Sequence, residues 1–261
     1  MCLVKSKCKV IFFRIDWFSN VCCFFGFTQI NFKNILAFGE EPYVPKIQLP
    51  AVLSAPSTFT MEGYEGDLST WKSFGAFIGK LNAGKDVLSP ETVTKLKALT
   101  ADCPDARCKT ERIYALLQES TRYFFIALGI GGWQPMSARE VDQFKYSDCK
   151  GLSNYTVSML HAVDVPAYYT LIRAGINEQK NQYPDFPNPR FNHVFACVPL
   201  GKDTMWLECT DQSGSCGFLS YNTDDRPALV ITPEGGKLVQ TPKYDEHSNT
   251  VRRETQVELQ P

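Results

Sequence analysis

A cysteine, a histidine and an acid follow one another in an order that suits acyl chemistry. Cys149 lies in the stretch Tyr146-Ser147-Asp148-Cys149-Lys150-Gly151-Leu152-Ser153-Asn154, which reads as a tight turn feeding a helix. Beyond Lys150 the apolar residues Leu152, Tyr155, Met159, Leu160 and Val163 recur at helical spacing. Ser147 or Asp148 can cap this helix by accepting hydrogen bonds from its unpaired first N–H groups. A thiol in the first turn feels the positive end of the helix dipole and those free donors, and both favour thiolate over thiol. Cys149 is therefore a candidate nucleophile; the plainer alternative is a buried structural cysteine.

A thiolate nucleophile needs an imidazole within hydrogen-bond reach and a third group that orients the ring. Of the three histidines, His161 falls inside the helix after Cys149 and His247 lies in a polar tail. His193 sits in an extended run, sharing a strand face with Phe195 and Cys197, and is the suitable partner. The acid comes from the next strand, and register selects it. A two- or four-residue turn after Leu200 pairs odd positions with even ones and sets Trp206, Glu208 and Thr210 beside His193. A three-residue turn offers Asp211 instead. The alternation of Met205, Leu207 and Cys209 with Trp206, Glu208 and Thr210 favours Glu208, with Asp211 in reserve. The loop Gly129-Ile130-Gly131-Gly132-Trp133-Gln134-Pro135 lacks both nucleotide-binding glycine patterns and presents an indole and an amide. Trp133 or Gln134 could join the Cys149 backbone N–H as an oxyanion donor; an indole packed in a glycine turn is the other reading.

The elements that must position these groups can be read in outline. Asp67 is placed to cap a helix with Trp71, Phe74, Phe77, Ile78 and Leu81 on one face, ending near Gly84. Ser89-Pro90-Glu91 opens a second helix carrying Val93, Leu96 and Leu99. A third runs from about Asp105 to Thr121 with Ile113, Leu116 and Leu117 inward. Tyr123 to Leu128 is a strongly apolar extended run, and Ser137 with Glu140 forms a capping box for a short helix. After Asp164-Val165-Pro166 come strands at 167–174, 191–200 and 204–210, the last two a hairpin about Gly201-Lys202-Asp203. Residues 176–190 form a polar, proline-rich loop, and further strands are expected at 228–231 and 237–241. A weak alternating pattern spans 251–259.

At the amino end, residues 1–38 form an atypical segment. Lysines precede the aromatic run Val10-Ile11-Phe12-Phe13, as in a secretion signal, but Arg14 and Asp16 interrupt it. The run is far too short to span a bilayer, so no stable membrane span is expected. Residues 39–60 read as an extended, proline-rich connector, 61–244 as the main domain, and 245–261 as a tail or the start of a further β domain.

Composition narrows the chemistry. A content of 44% hydrophobic and 13% aromatic residues supplies a sizeable core. A net charge of −1 without any Lys/Arg run argues against nucleic acid as partner, because phosphate binding needs a concentrated basic face. The ten cysteines include no C-x-x-C pair and no Cys/His set of zinc spacing, so neither a structural metal nor a cofactor is expected. A disulfide between Cys103 and Cys108, or between Cys209 and Cys216, stays open.

Together, Asp148-Cys149-Lys150, Phe191-Asn192-His193-Val194 and Trp206-Leu207-Glu208-Cys209-Thr210 resemble the transglutaminase-like superfamily. More narrowly, the chain resembles bacterial multidomain proteins that carry such a domain between two β-rich domains. Glu41-Pro42-Tyr43 and the Gly131-Gly132-Trp133-Gln134-Pro135 loop are similar to that group as well. The resemblance implies an α+β, papain-like fold, with amino-terminal helices and the nucleophile helix packed on an antiparallel β-sheet. It implies Cys149 as nucleophile, His193 as base and then acid, and Glu208 as orienter, where the superfamily commonly has aspartate. The implied partner is a peptide or protein amide, cleaved or transferred through a thioester, and the implied compartment is exported or periplasmic. The alternative is a catalytically silent domain that binds protein or peptide.

Overall fold

The computed structural model describes residues 3–13, 18–24, 27–32, 51–175, 185–245, 247–248 and 253–258, with side chains from residue 55 onward. In chain order these hold β1 (Leu3–Phe13), β2 (Phe18–Phe24), β3 (Phe27–Phe32), β4 (Ala51–Met61) and β5 (Tyr64–Asp67). Helices α1 (Trp71–Asn82), α2 (Pro90–Leu99) and α3 (Ala106–Ser120) follow, then β6 (Arg122–Tyr123) and a single 3-10 turn at Gly129–Gly132. Next come α4 (Ala138–Phe144), β7 (Tyr146–Ser147) and α5 (Cys149–Ala162). The carboxyl half is β8 (Tyr168–Ile172), β9 (His193–Leu200), β10 (Asp203–Leu207), β11 (Pro227–Thr232) and β12 (Gly235–Gln240).

The fold is mixed α+β, with helices packed against sheets. The main sheet is antiparallel throughout, in the order β10-β9-β8-β11-β12. A smaller sheet has the order β1-β4-β5, so the proline-spaced stretch becomes, from residue 51, a paired strand. The aromatic run 10–13 is part of β1, paired with β4. The proline-spaced connector before residue 51, with its Glu41-Pro42-Tyr43, lies outside the described residues, as do 176–184 of the proline-rich loop.

Helix starts follow local chemistry. Ser89 caps α2 with Pro90 at its first position, Asp105 caps α3, and Ser137 and Glu140 close a reciprocal box on α4. For α1 the cap is Thr70, not Asp67: Ser73 N donates to Thr70 Oγ1 at 2.9 Å and Thr70 N to Ser73 Oγ at 3.1 Å. Asp67 instead closes the turn before it, accepting from Ser69 N at 2.6 Å. Of the three apolar residues expected inward on α2, only Leu96 is buried, and Leu99 is exposed. On α3, Tyr114 joins Ile113 and Leu117 inside while Leu116 is half-buried.

Helix α5 is the centre of the molecule. Every residue from Cys149 to Leu160 is buried, not only one apolar stripe. Its polar side chains are satisfied from within: Ser153 Oγ donates to Val194 O at 3.1 Å and Asn154 Nδ2 to Lys85 O at 2.7 Å. Thr156 and Ser158 donate to carbonyls one turn back, at 2.8 and 2.7 Å. The helix lies on the sheet face formed by Ala196 and Val198, while Phe195, Cys197 and Trp206 fill the opposite face with Leu219 and Val230. Farther along the same face as α5, α1 lies on β12 so closely that a Cβ at Gly75 would stand 2.0 Å from Gly236 N.

Two extended runs stop short of their expected lengths. Of the apolar run only Tyr123 pairs as a strand, with Arg122 before it, against β7; the chain then leaves the sheet. The strand expected at 204–210 ends at Leu207. Residues 253–258 of the tail have no regular structure and are exposed. Cys103 and Cys108 form a disulfide at the entry to α3, and Cys209 and Cys216 are free. Among the described residues no helix is long and apolar enough to cross a membrane.

Candidate active site

Cys149 is the first residue of α5, and Asp148 is the cap, its Oδ1 accepting from Gly151 N at 3.1 Å. Ser147, the other cap candidate, has a buried hydroxyl without a hydrogen-bond partner. That hydroxyl is pressed against the helix: a Cβ on Gly151 would lie 2.0 Å from Ser147 Oγ, so only glycine fits two residues after the cysteine. The other Asp148 oxygen pairs with Lys150 Nζ, both groups buried. Lys150 Nζ also donates to Ile126 O at 3.4 Å, which ties the helix start to the loop after β6.

His193 opens β9, and Glu208 stands just past the end of β10. The register places them together. Leu200 pairs with Asp203 and Cys197 with Trp206 across a two-residue turn at Gly201 and Lys202, so odd positions face even ones. His193 Nε2 lies 2.9 Å from each carboxylate oxygen of Glu208. Glu208 is itself fixed: its Oε1 accepts from Thr210 Oγ1 at 2.8 Å and its carbonyl from Tyr114 OH at 2.9 Å. Asp211, the reserve acid, is not brought to the histidine. It is exposed, and its Oδ1 accepts from Ser213 N and Oγ at 2.8 and 2.9 Å.

The Cys149 side chain lies beside the same ring, and both line one cleft. With Nε2 facing Glu208, Nδ1 is the nitrogen left for the sulfur. Burial opposes the imidazolium, but the neighbouring Cys149 and Glu208 side chains, with their charges, outweigh it, and the His193 pKa is pushed up to about 10. Burial likewise works against the Glu208 carboxylate, yet hydrogen bonds from His193 and Thr210 and the charge on His193 leave its pKa below the ordinary value. Because the folded pKa of His193 is raised, its contribution to stability is fully present below pH 6.5 and lost as pH rises through about 10. Replacing Glu208 with Gln removes the charge that holds the proton and leaves burial in place. NMR titration of His193 in Glu208→Gln should show the ring deprotonating well below the parent value, and the alkaline loss of stability should flatten.

These groups open on a cleft of about 280 Å³ walled by Phe125, Trp133, Lys150, Tyr169, Phe191 and Val194. Cys149 is buried to 8% exposure but lies on its floor. Trp133 packs edge-on to Phe74 with centroids 6.3 Å apart. Gln134 is not part of this wall. Its amide nitrogen donates to Leu81 O at 3.0 Å and Tyr64 OH at 3.3 Å, which uses both N–H groups to hold the loop on α1. His161, at the far end of α5, is exposed and has Nε2 2.8 Å from Ala167 O; His247 is exposed. A larger groove of about 630 Å³ runs between β4, β5 and α1 past Phe59, Asp67 and Lys80, and holds no sulfur or imidazole. Among the described residues no group of three or more His, Cys, Asp or Glu side chains could hold a metal ion.

Tyr169, which the sequence marks only as part of a strand, stands in β8. It is buried, its hydroxyl makes no hydrogen bond among the described residues, and it lines the cleft with Cys149. Burial, with the charges of Cys149 and Asp148, raises its pKa well above 10, so it stays a neutral O–H donor. Alternation along β8 was the available signal, since Tyr169 and Leu171 share the face that meets the helix start.

No protein-family profile matches the sequence, and no curated protein matches it. Among solved structures, the chain is similar to a protein from Parabacteroides distasonis provisionally described as a protease, with a TM-score of 0.56 and 13% identity. That match covers 92% of this chain and 43% of the other, so this chain spans less than half of that protein's length. A protein from Cytophaga hutchinsonii, provisionally described as a cysteine protease, gives a TM-score of 0.39 at 13% identity, over 69% of this chain and 64% of that one. The second score is too low to argue from. The first establishes a distant relationship of fold to a protease-like architecture.

Proposed function

We propose that the chain is a thiol-dependent hydrolase or acyltransferase acting on peptide-type amides, built on a transglutaminase-like, papain-like core. One observation carries this reading: the Cys149 side chain and the His193 ring line one cleft from two separate elements, and the Glu208 carboxylate, from a third, holds the ring in a hydrogen-bonded series behind it. A structural cysteine has no need of that series.

In this mechanism the Cys149 proton passes to His193 Nδ1, giving a thiolate beside an imidazolium whose Nε2–H donates to Glu208. The sulfur attacks the amide carbonyl carbon, and the C=O electrons move onto oxygen. The Cys149 backbone N–H, at a helix start where such groups have no intrahelical partner, faces that oxyanion. Trp133 or Tyr169 supplies a second donor from the cleft wall. Collapse breaks the C–N bond, the amine leaves with the proton from His193, and a thioester remains. Water or a second amine then gives its proton to His193 as it attacks the thioester, and the thiolate is released. Hydrolysis is preferred, because water always competes for a thioester.

The test is intact-protein mass spectrometry after acid quench, with a panel of peptide amides and their activated esters. An acyl adduct on Cys149 is expected, removed by hydroxylamine and absent from Cys149→Ala. No adduct from any ester, together with Cys149 alkylating no faster than a free thiol, overturns the proposal in favour of a silent binding domain.

A further inference from the structure

The loop between β6 and the 3-10 turn presents apolar rings to water beside the reactive cysteine. Residues 123–136 contain no charged side chain. Within them Phe124, Phe125 and Leu128 are 62%, 69% and 85% exposed. Single exposed apolar residues are ordinary, but three within five residues at the mouth of a cleft form a patch. The loop backbone is held: Phe124 N donates to Ser147 O at 2.8 Å, Gly131 N to Leu128 O at 3.0 Å, and Ile126 O accepts from Lys150. Phe124 packs against Tyr146, centroids 6.0 Å apart, while Phe125 belongs to the cleft wall with Trp133 and Phe191. Patch and cleft are thus one surface, joined at Phe125. Apart from Cys149 and His193, the one ionisable amine or acid among the described residues of that wall is Lys150, already paired with Asp148.

We infer that this loop is an apolar docking rim of the Cys149 cleft, and that its occupant is a polypeptide bearing a bulky aliphatic or aromatic side chain close to the attacked amide. The inference rests on the proposed function for the word "attacked", but the docking itself does not depend on turnover. An apolar side chain entering the cleft loses water against Phe125, Trp133 and Phe191. An acidic or basic one would be desolvated with no free partner among the described residues of the wall.

The experiment uses the full chain carrying Cys149→Ala and short fluorescein-labelled peptides identical except at one position, read by fluorescence anisotropy. Peptides with Phe or Leu there should bind about tenfold or more tighter than those with Asp or Lys. Adding Phe125→Ser should reduce that preference to within about threefold; the ring is mostly exposed, so the fold should be unaffected, as a melting curve will check. Equal binding of all four peptides, or a preference untouched by Phe125→Ser, overturns the inference. So does a dimer that dissolves on Phe124→Ser and Phe125→Ser without any peptide preference, since the occupant is then a second copy. Iodoacetamide labelling of Cys149 in the parent chain separates the two readings. Fast labelling with indifferent peptide binding removes only the rim. Slow labelling with the preference intact removes only the nucleophile.

Discussion

His193→Ala is expected to lower amide turnover by about 10³- to 10⁴-fold, the range lost when a positioned acid–base group is removed from a coupled nucleophile. The same change should slow iodoacetamide alkylation of Cys149 well below pH 8, because the thiol loses both the group that takes its proton and the cation that balances its charge. Among the described residues the ring hydrogen-bonds only Glu208 and lies beside Cys149, so its loss strikes the site directly. It also leaves Glu208, mostly buried, with only Thr210 as a side-chain partner. Adding Glu208→Gln to His193→Ala should therefore cost almost nothing more in turnover, since residues that act as one unit are not additive. The measurement is kcat for both variants with whichever peptide ester forms the Cys149 adduct, beside the alkylation rate as a function of pH. Unchanged alkylation at pH 7 in His193→Ala would mean that the imidazole does not act on the sulfur.

Gly75→Ala should destabilise the protein by about 2 kcal/mol or more, although alanine is the better helix former. Propensity alone favours alanine inside α1 by about 0.8–1 kcal/mol. Against it, the new Cβ would lie 2.0 Å from Gly236 N, 2.1 Å from Gly236 Cα and 2.8 Å from Gly235 C. These are backbone atoms of β12, which cannot rotate aside, and overpacking of this kind costs roughly 1–3 kcal/mol or more. The neighbouring position supplies the control. Gly79 lies on the same helix with nothing within 4 Å of its would-be Cβ, so Gly79→Ala should stabilise by up to about 1 kcal/mol. Thermal unfolding should shift in opposite directions for the two variants. Gly75→Ala should also disturb the cleft, because Phe74 beside it stacks on Phe191 with centroids 6.2 Å apart and meets the edge of Trp133.

The parts of this arrangement that were legible in the sequence are those set by neighbours a few residues apart. Ser89-Pro90 announced α2 and the Ser137/Glu140 pair announced α4, because a cap is a contact across one turn. The preference for Glu208 over Asp211 rested on strand alternation, and the two-residue turn at Gly201 and Lys202 supplies the odd-to-even pairing. Asp67 was misread because Thr70 offers its helix a reciprocal box with Ser73, which satisfies two donors where one aspartate satisfies one. The run 123–128 is strongly apolar and reads as extended, yet its last bond to β7 is that of Phe124 N to Ser147 O, and among the described residues no strand pairs with it beyond that point.

By itself the sequence determined the residue types, the start of the helix at Cys149 and the face on which His193 and Glu208 would meet. All three are consequences of the short periods of helix and strand. Tertiary structure alone decided that His193 would reach Cys149, that Gln134 would turn away to Leu81 and Tyr64, and that α5 would be buried on every side. Those outcomes depend on which distant surfaces exclude water together, and burial of that kind leaves no period in the chain.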